Sequence, residues 1–152
     1  MKPLVEIQNL VKYFDLGGDQ RVHAVDDVSL SINPREIVGL VGESGSGKST
    51  LGKTVLGLHD KTDGNVSFAG QVLPQRYRAS DFRAMAPKMQ MIFQDPYSSL
   101  NPRMTVGEIV GEGLRLQPEL SASDVQDLVA HWLQLVGLSS DHRSRYHHEL
   151  SG

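Results

Sequence analysis

Nine residues in one run could do chemistry: Gly42, Glu43, Ser44, Gly45, Ser46, Gly47, Lys48, Ser49 and Thr50. They set a glycine, four residues and then Gly-Lys-Ser, a spacing suited to holding phosphate. Glycines let the backbone curl until successive N–H groups converge on anionic oxygens, and only glycine takes that curvature cheaply. A helix starting at the end of the loop would add about half a positive charge. Lys48 would bring a mobile ammonium to the β- and γ-phosphates, and the Ser49 hydroxyl is sized to ligate Mg²⁺. A chance match in a chain this long is on the order of one per cent. The plainer alternative is a Gly/Ser turn with Lys48 merely solvated, and the pattern on either side speaks against it.

Before the loop, Ile37, Val38, Leu40 and Val41 form an apolar run of the kind buried on both faces of a parallel sheet. After it, residues 48 to 58 can form a helix closed by Gly57. This strand, loop and helix order is what the phosphate mechanism demands. Upstream, Leu4 to Leu10 alternates as a half-buried strand, "FDLGGDQR" reads as a turn, and Val22 to Ile32 resumes the alternation, so the opening third reads as antiparallel. "NPRE" is a turn, and "NVSFAG" is a further short strand. A brief helix is expected over Asp81 to Met85 and a second core strand over Met89 to Phe93. Helices are expected over Thr105 to Leu116 and Ser121 to Val136. In the second, Val125, Leu128, Val129, Trp132, Leu133 and Val136 share a face, which reads as core. Ser121 and Asp124 resemble a capping box with Asp in the usual Glu or Gln position.

Composition narrows the function classes. With 39% hydrophobic and 22% charged residues, a chain of 152 residues has the balance of a globular protein with a real core. Fifteen Lys and Arg against eighteen Asp and Glu leave a formal charge of -3, so no general attraction to nucleic acid or acidic lipid is expected, and any anion site must be local. Without cysteine there is no disulfide, thiolate zinc site or cysteine nucleophile. The N-terminus is too polar for a secretion signal, and no run approaches the roughly 20 apolar residues of a membrane-spanning helix. His142, His147 and His148 cluster near the end without carboxylate or thiol partners at ligand spacing, which favours solvated side chains over a metal site. The phosphate motif alone does not choose among kinases, GTPases and transport ATPases, although the Asn-Lys-x-Asp element of guanine-specific proteins does not occur.

Four stretches in order add specificity: "KYF" at Tyr13, "GESGSGKST", "QMIFQDPYSSLNPRMTVGEIV" from Gln90 to Val110, and "ELSG" from Glu149 to Gly152. Together they resemble the ATP-binding subunits of ABC transporters, and among these the peptide importers. The resemblance implies an α/β fold of the P-loop NTPase type, with an antiparallel β subdomain at the N-terminus and a helical subdomain at the C-terminus. It divides the chain into residues 1–94, β subdomain plus P-loop core, and 95–152, helical subdomain. It implies ATP and Mg²⁺ as cofactors, Tyr13 stacking on adenine, and Gln94 contacting Mg²⁺ and the attacking water. Leu150, Ser151 and Gly152 would begin the LSGGQ signature that faces a partner's ATP.

The same resemblance implies partners: transmembrane permease subunits, a second ATP-binding subunit and, indirectly, a substrate-binding protein, but no nucleic acid. The chain would work as a peripheral protein at the cytoplasmic face of the membrane, coupling ATP hydrolysis to import of di- or oligopeptides. Related importers carry nickel or glutathione, and the motifs do not distinguish these cargoes. The ending "HHELSG" stops three residues into a five-residue motif, which reads as a truncation. The acidic strand with its Glu, and the His further on, that activate water in this family would lie beyond Gly152, so residues 1–152 alone are expected to hydrolyse ATP negligibly. Two other readings compete. A P-loop kinase or small-molecule phosphotransferase accounts for Gly42 to Ser49 but leaves the other stretches as accidents. A soluble ABC ATPase acting on ribosomes or DNA would be expected to bring paired cassettes or long basic arms.

Overall fold

The structure, a computed structural model, describes residues 2–18 and 20–150. The chain divides into two compact units, Met1–Met91 and Ile92–Gly152.

The first unit is organised around a long hairpin. Strands β1 (Val5–Gly17) and β2 (Gln20–Ile32) pair antiparallel, with Val5 opposite Ile32, Tyr13 opposite His23 and Gly17 opposite Gln20. The segment expected to be a loop, Phe14 to Arg21, therefore carries the ladder almost to its end, because Gly17 and Gly18 take positive φ and confine the reversal to the tip. After helix α1 (Lys48–Val55), strand β3 (Asp63–Phe68) joins the other edge of β1, and the two-residue β4 (Gln71–Val72) completes the order β2-β1-β3-β4. Helix α2 (Ala79–Met85) follows.

Alternation along β1 sends Ile7 inward and Gln8 outward. Leu10 is 0% exposed, and a core forms from Ile7, Leu10, Val25, Leu51, Val66, Leu73 and Met85. Near residue 9 the β1–β2 register shifts. Asn9 and Asp27 both take positive φ there, the Asn9 side chain donates to Asp27 Oδ1 at 2.7 Å, and the Asn9 N–H donates to Ser29 Oγ at 2.8 Å. β3 approaches this bulge so closely that a Cβ on Gly64 would stand 2.2 Å from the Asn9 carbonyl oxygen. Leu51 and Thr54 are the buried residues of α1, which packs on β1 and β2.

Two expected core strands differ from expectation. Among the described residues, 37–41 and 89–93 join no ladder, and Ile37 and Ile92 are 98% and 94% exposed. An apolar run reports a tendency toward burial, but a strand exists only where its N–H and C=O groups meet a neighbour's. None of the four antiparallel strands borders either run.

The second unit is helical. After the short α3 (Pro96–Ser99) come α4 (Val106–Glu112), a 3₁₀ turn at Leu114–Leu116 and α5 (Ala122–Leu135). The helix expected over Thr105 to Leu116 thus breaks at Gly113. Reciprocal capping boxes start both longer helices. Thr105 Oγ1 accepts from the Glu108 N–H at 3.3 Å while the Thr105 N–H donates to Glu108 Oε2 at 2.8 Å; at Ser121 and Asp124 the same pair spans 3.2 and 2.9 Å. Val106, Leu114, Val125, Val129 and Leu133 form the core, and Leu150 packs against it. The apolar stripe of α5 is narrower than its sequence suggests. Val125, Val129 and Leu133 at i, i+4 and i+8 are buried, whereas Trp132 is 40% exposed and Val136 lies past the last helical turn on the surface. The tail returns to the start of α4, where the Val106 N–H donates to the Arg145 carbonyl at 2.8 Å and Thr105 bridges Tyr146.

Candidate functional site

The loop from Gly42 to Gly47 runs directly into the first turn of α1. Its curl is fixed by a bond from the Ser46 N–H to the Glu43 carbonyl at 3.2 Å and by positive φ at Gly45 (84°) and Gly47 (90°). Gly47 is the left-handed N-cap of α1. A Cβ at this position would meet the Ala24 carbonyl oxygen at 1.9 Å, so both conformation and space reserve it for glycine. The Lys48 ammonium folds back over the loop, donating to the carbonyls of Gly42 at 2.7 Å and Glu43 at 2.5 Å and to Ser46 Oγ at 3.2 Å.

The helix start differs electrostatically from those of α2, α4 and α5. α2, α4 and α5 each carry a carboxylate in the first turn, Asp81, Glu108 and Asp124, which answers their free N–H groups. α1 has no acidic residue in its first turn and no side-chain cap. Its opening residues, Lys48, Ser49 and Thr50, bring an ammonium and two hydroxyls instead. A glycine-curled loop, a cation and an uncompensated helix start converge on one place, and the ligand class that satisfies all three is a polyphosphate anion.

Tyr13 sits within β1 rather than after the first strand, because the ladder continues to Gly17. Its ring stacks on that of His23, its cross-strand partner, with centroids 3.8 Å apart and planes 17° from parallel. The Tyr13 hydroxyl donates to Asp26 Oδ1 at 2.5 Å, and His23 Nδ1 stands 3.5 Å from Asp26 Oδ2. The bond from Tyr13 holds the Asp26 carboxyl below its usual range, and its reciprocal effect raises the Tyr13 phenol. His23 directly precedes Ala24, the residue whose carbonyl abuts Gly47.

The remaining expected residues belong to the second unit. Gln94 lies in a bend ahead of α3 with its side chain exposed. Leu150 anchors into the helical core, and Ser151 and Gly152 lie outside the described residues. Among the described residues no group of three His, Cys, Asp or Glu could hold a metal ion, and no helix is long and apolar enough to cross a membrane. His23 and Asp26 escape sequence reasoning. The signal that finds them is the hairpin register, which places residue 23 opposite residue 13 once the reversal is fixed at Gly17 and Gly18.

A family model described as ABC transporter matches residues 25–152. The chain is 45% identical over 150 residues to the oligopeptide transport ATP-binding protein OppF of Bacillus subtilis (strain 168), covering 98% of this chain and 49% of that protein. It is 44% identical over 154 residues to the dipeptide transport ATP-binding protein DppF of Lactococcus lactis subsp. cremoris (strain MG1363), covering 99% of this chain and 49% of the relative. The chain therefore spans about half the length of the curated relatives it matches. Among solved structures, the fold is similar to the dimeric post-hydrolysis state of the ATP-binding cassette MJ0796 bound to ADP and Pi. The TM-score is 0.83 at 24% identity, over 97% of this chain and 63% of that one.

Proposed function

Since the chain belongs to the ABC transporter family, we propose that it forms the nucleotide-holding part of an importer's ATP-binding subunit and that the whole protein couples ATP hydrolysis to entry of di- or oligopeptides. The observation that carries this reading is the start of α1. There Gly45 and Gly47 curl the loop, Lys48 supplies the cation, and no carboxylate competes for the N–H groups. The relatives' names, oligopeptide and dipeptide transport ATP-binding proteins, support peptides as cargo.

In this reading the Gly42–Thr50 amides and Lys48 bind the ATP phosphates, with Glu43, Ser44 and Ser46 shaping the turn. Tyr13 receives the adenine ring. The Ser49 hydroxyl, a hard neutral oxygen of the kind this ion prefers, would ligate Mg²⁺, and the family resemblance gives the Gln94 amide oxygen the same role. Such an ion would supply positive charge against the phosphate oxygens. Gln94 orients the attacking water, and the stretch from Leu150 to Gly152 begins the signature that serves the nucleotide of a second ATP-binding subunit. Residues 1–94 act as β subdomain and P-loop core, and 95–152 as helical subdomain. The protein works peripherally at the cytoplasmic face of the membrane with permease subunits, and indirectly with a substrate-binding protein. A kinase or phosphotransferase role loses its footing with family membership, and a soluble ABC ATPase is disfavoured by the relatives' names.

Calorimetry with ATP and Mg²⁺ tests the reading. The unaltered chain binds, and Lys48→Ala, which removes the cation from the loop, reduces affinity beyond detection. Equal affinity in both proteins would overturn it.

A further inference from the structure

The stacking residue Tyr13 does not stand alone. One face of its ring is covered by His23, its hydroxyl is spent on Asp26, and the second Asp26 oxygen lies beside His23 Nδ1. His23 itself is about half exposed, with 54% of its side chain open to solvent. Three side chains from one hairpin thus form a closed clamp that fixes the plane of the phenol ring. A lone tyrosine at the edge of a sheet keeps its freedom about χ2, and ordering it has to be offset when a base binds. Here the hydrogen bond to Asp26 anchors the hydroxyl end of the ring, and the stacked imidazole opposes its rotation about χ2.

We propose that His23 and Asp26 are positioning residues for the nucleobase: His23 backs one face of Tyr13 so that the base stacks on the other, and Asp26 locks both rings in register. This rests on the nucleotide reading of the Gly42–Thr50 loop and extends it to two residues beyond the phosphate site. The link to that loop is direct, since Ala24, next to His23, carries the carbonyl that abuts Gly47. The loop therefore abuts the strand that carries His23 and Asp26. Aromatic pairs of this kind contribute modestly beyond buried area, so the expected effect is a few-fold change in affinity.

The test separates base from phosphate by titrating the full chain with ATP and, separately, with inorganic tripolyphosphate. His23→Ala is expected to weaken ATP binding about 2- to 10-fold while leaving tripolyphosphate unchanged. His23→Phe, which keeps a ring at the position, restores ATP affinity to within about twofold. Asp26→Asn, which keeps the shape but loses the charged acceptor, falls between wild type and His23→Ala. Unchanged ATP affinity in His23→Ala, or parallel loss of ATP and tripolyphosphate, overturns the inference while the phosphate site stands. Binding of neither ligand by the unaltered chain overturns the site reading, and this inference with it.

Discussion

Gly47 and Ala24 meet so closely that no side chain fits between them: a Cβ on Gly47 would lie 1.9 Å from the Ala24 carbonyl oxygen, at a backbone φ of 90°. The loop from Gly42 to Gly47 is thereby seated on β2, and its shape depends on that contact. Gly47→Ala is expected to cost at least about 2 kcal/mol of stability and to abolish polyphosphate binding. Gly52→Ala is the matched control, because Gly52 lies within α1 with nothing in the way of a Cβ. It should stabilise by about 0.5–1 kcal/mol with binding retained. Thermal melting with calorimetry distinguishes them, and a Gly47→Ala variant that melts and binds like wild type would contradict the seating.

The helical unit should weaken in acid. Backbone and hydroxyl bonds from Thr105 lower the Glu108 carboxyl, and bonds from the Ser121 hydroxyl and N–H lower that of Asp124. A carboxyl held low in the folded state binds fewer protons there than in the unfolded chain, so its stabilisation is full above the unfolded pKa and disappears as pH falls through the folded one. Helical ellipticity at fixed temperature should therefore decline on acidification below the ordinary carboxylate range. Glu108→Gln and Asp124→Asn should each flatten that decline, and identical acid profiles for all three proteins would count against the caps.

Much of the fold is legible in the sequence, for identifiable reasons. Alternation at Val5, Glu6 and Ile7 marks β1, and Ser121 with Asp124 marks the start of α5, because those signals are local. The curl of the Gly42–Gly47 loop into α1 is legible for the same reason, since its glycines fall within one short motif. The Tyr13–His23–Asp26 clamp is not, because it depends on how the hairpin reverses, and a Gly-rich tip leaves several registers open until the ladder is seen. The runs 37–41 and 89–93 fail differently. Their apolar character is plain, but strand formation is a property of a pair, and no described strand supplies the second member.

Those two runs yield a third expectation. Ile37 and Ile92 are almost fully exposed, as is Val41. Large apolar side chains exposed to this degree bind hydrophobic dyes and promote association. The 152-residue chain should bind such a dye strongly and sediment as a mixture of species. The double variant Ile37→Glu, Ile92→Glu should reduce both effects without lowering the melting temperature. Weak dye binding and a single monomeric boundary for the unaltered chain would refute the expectation.

A fourth concerns the core beneath the site. Leu10 is fully enclosed in β1. Leu10→Ala should destabilise by about 2–5 kcal/mol, read as a large drop in the denaturation midpoint of the first unit. A loss below about 1 kcal/mol would mean that this position is not the centre of the packing.

In the proposed function the loop from Gly42 to Thr50 receives the phosphates of the nucleotide. Amide resonances of the isotope-labelled chain, followed by NMR during titration with ATP and Mg²⁺, test it most directly. Large, saturable shifts are expected at Gly45, Ser46, Gly47, Lys48 and Ser49, with smaller ones at Tyr13 and His23. Saturable shifts that leave residues 45–49 unmoved and fall elsewhere in the chain would contradict it.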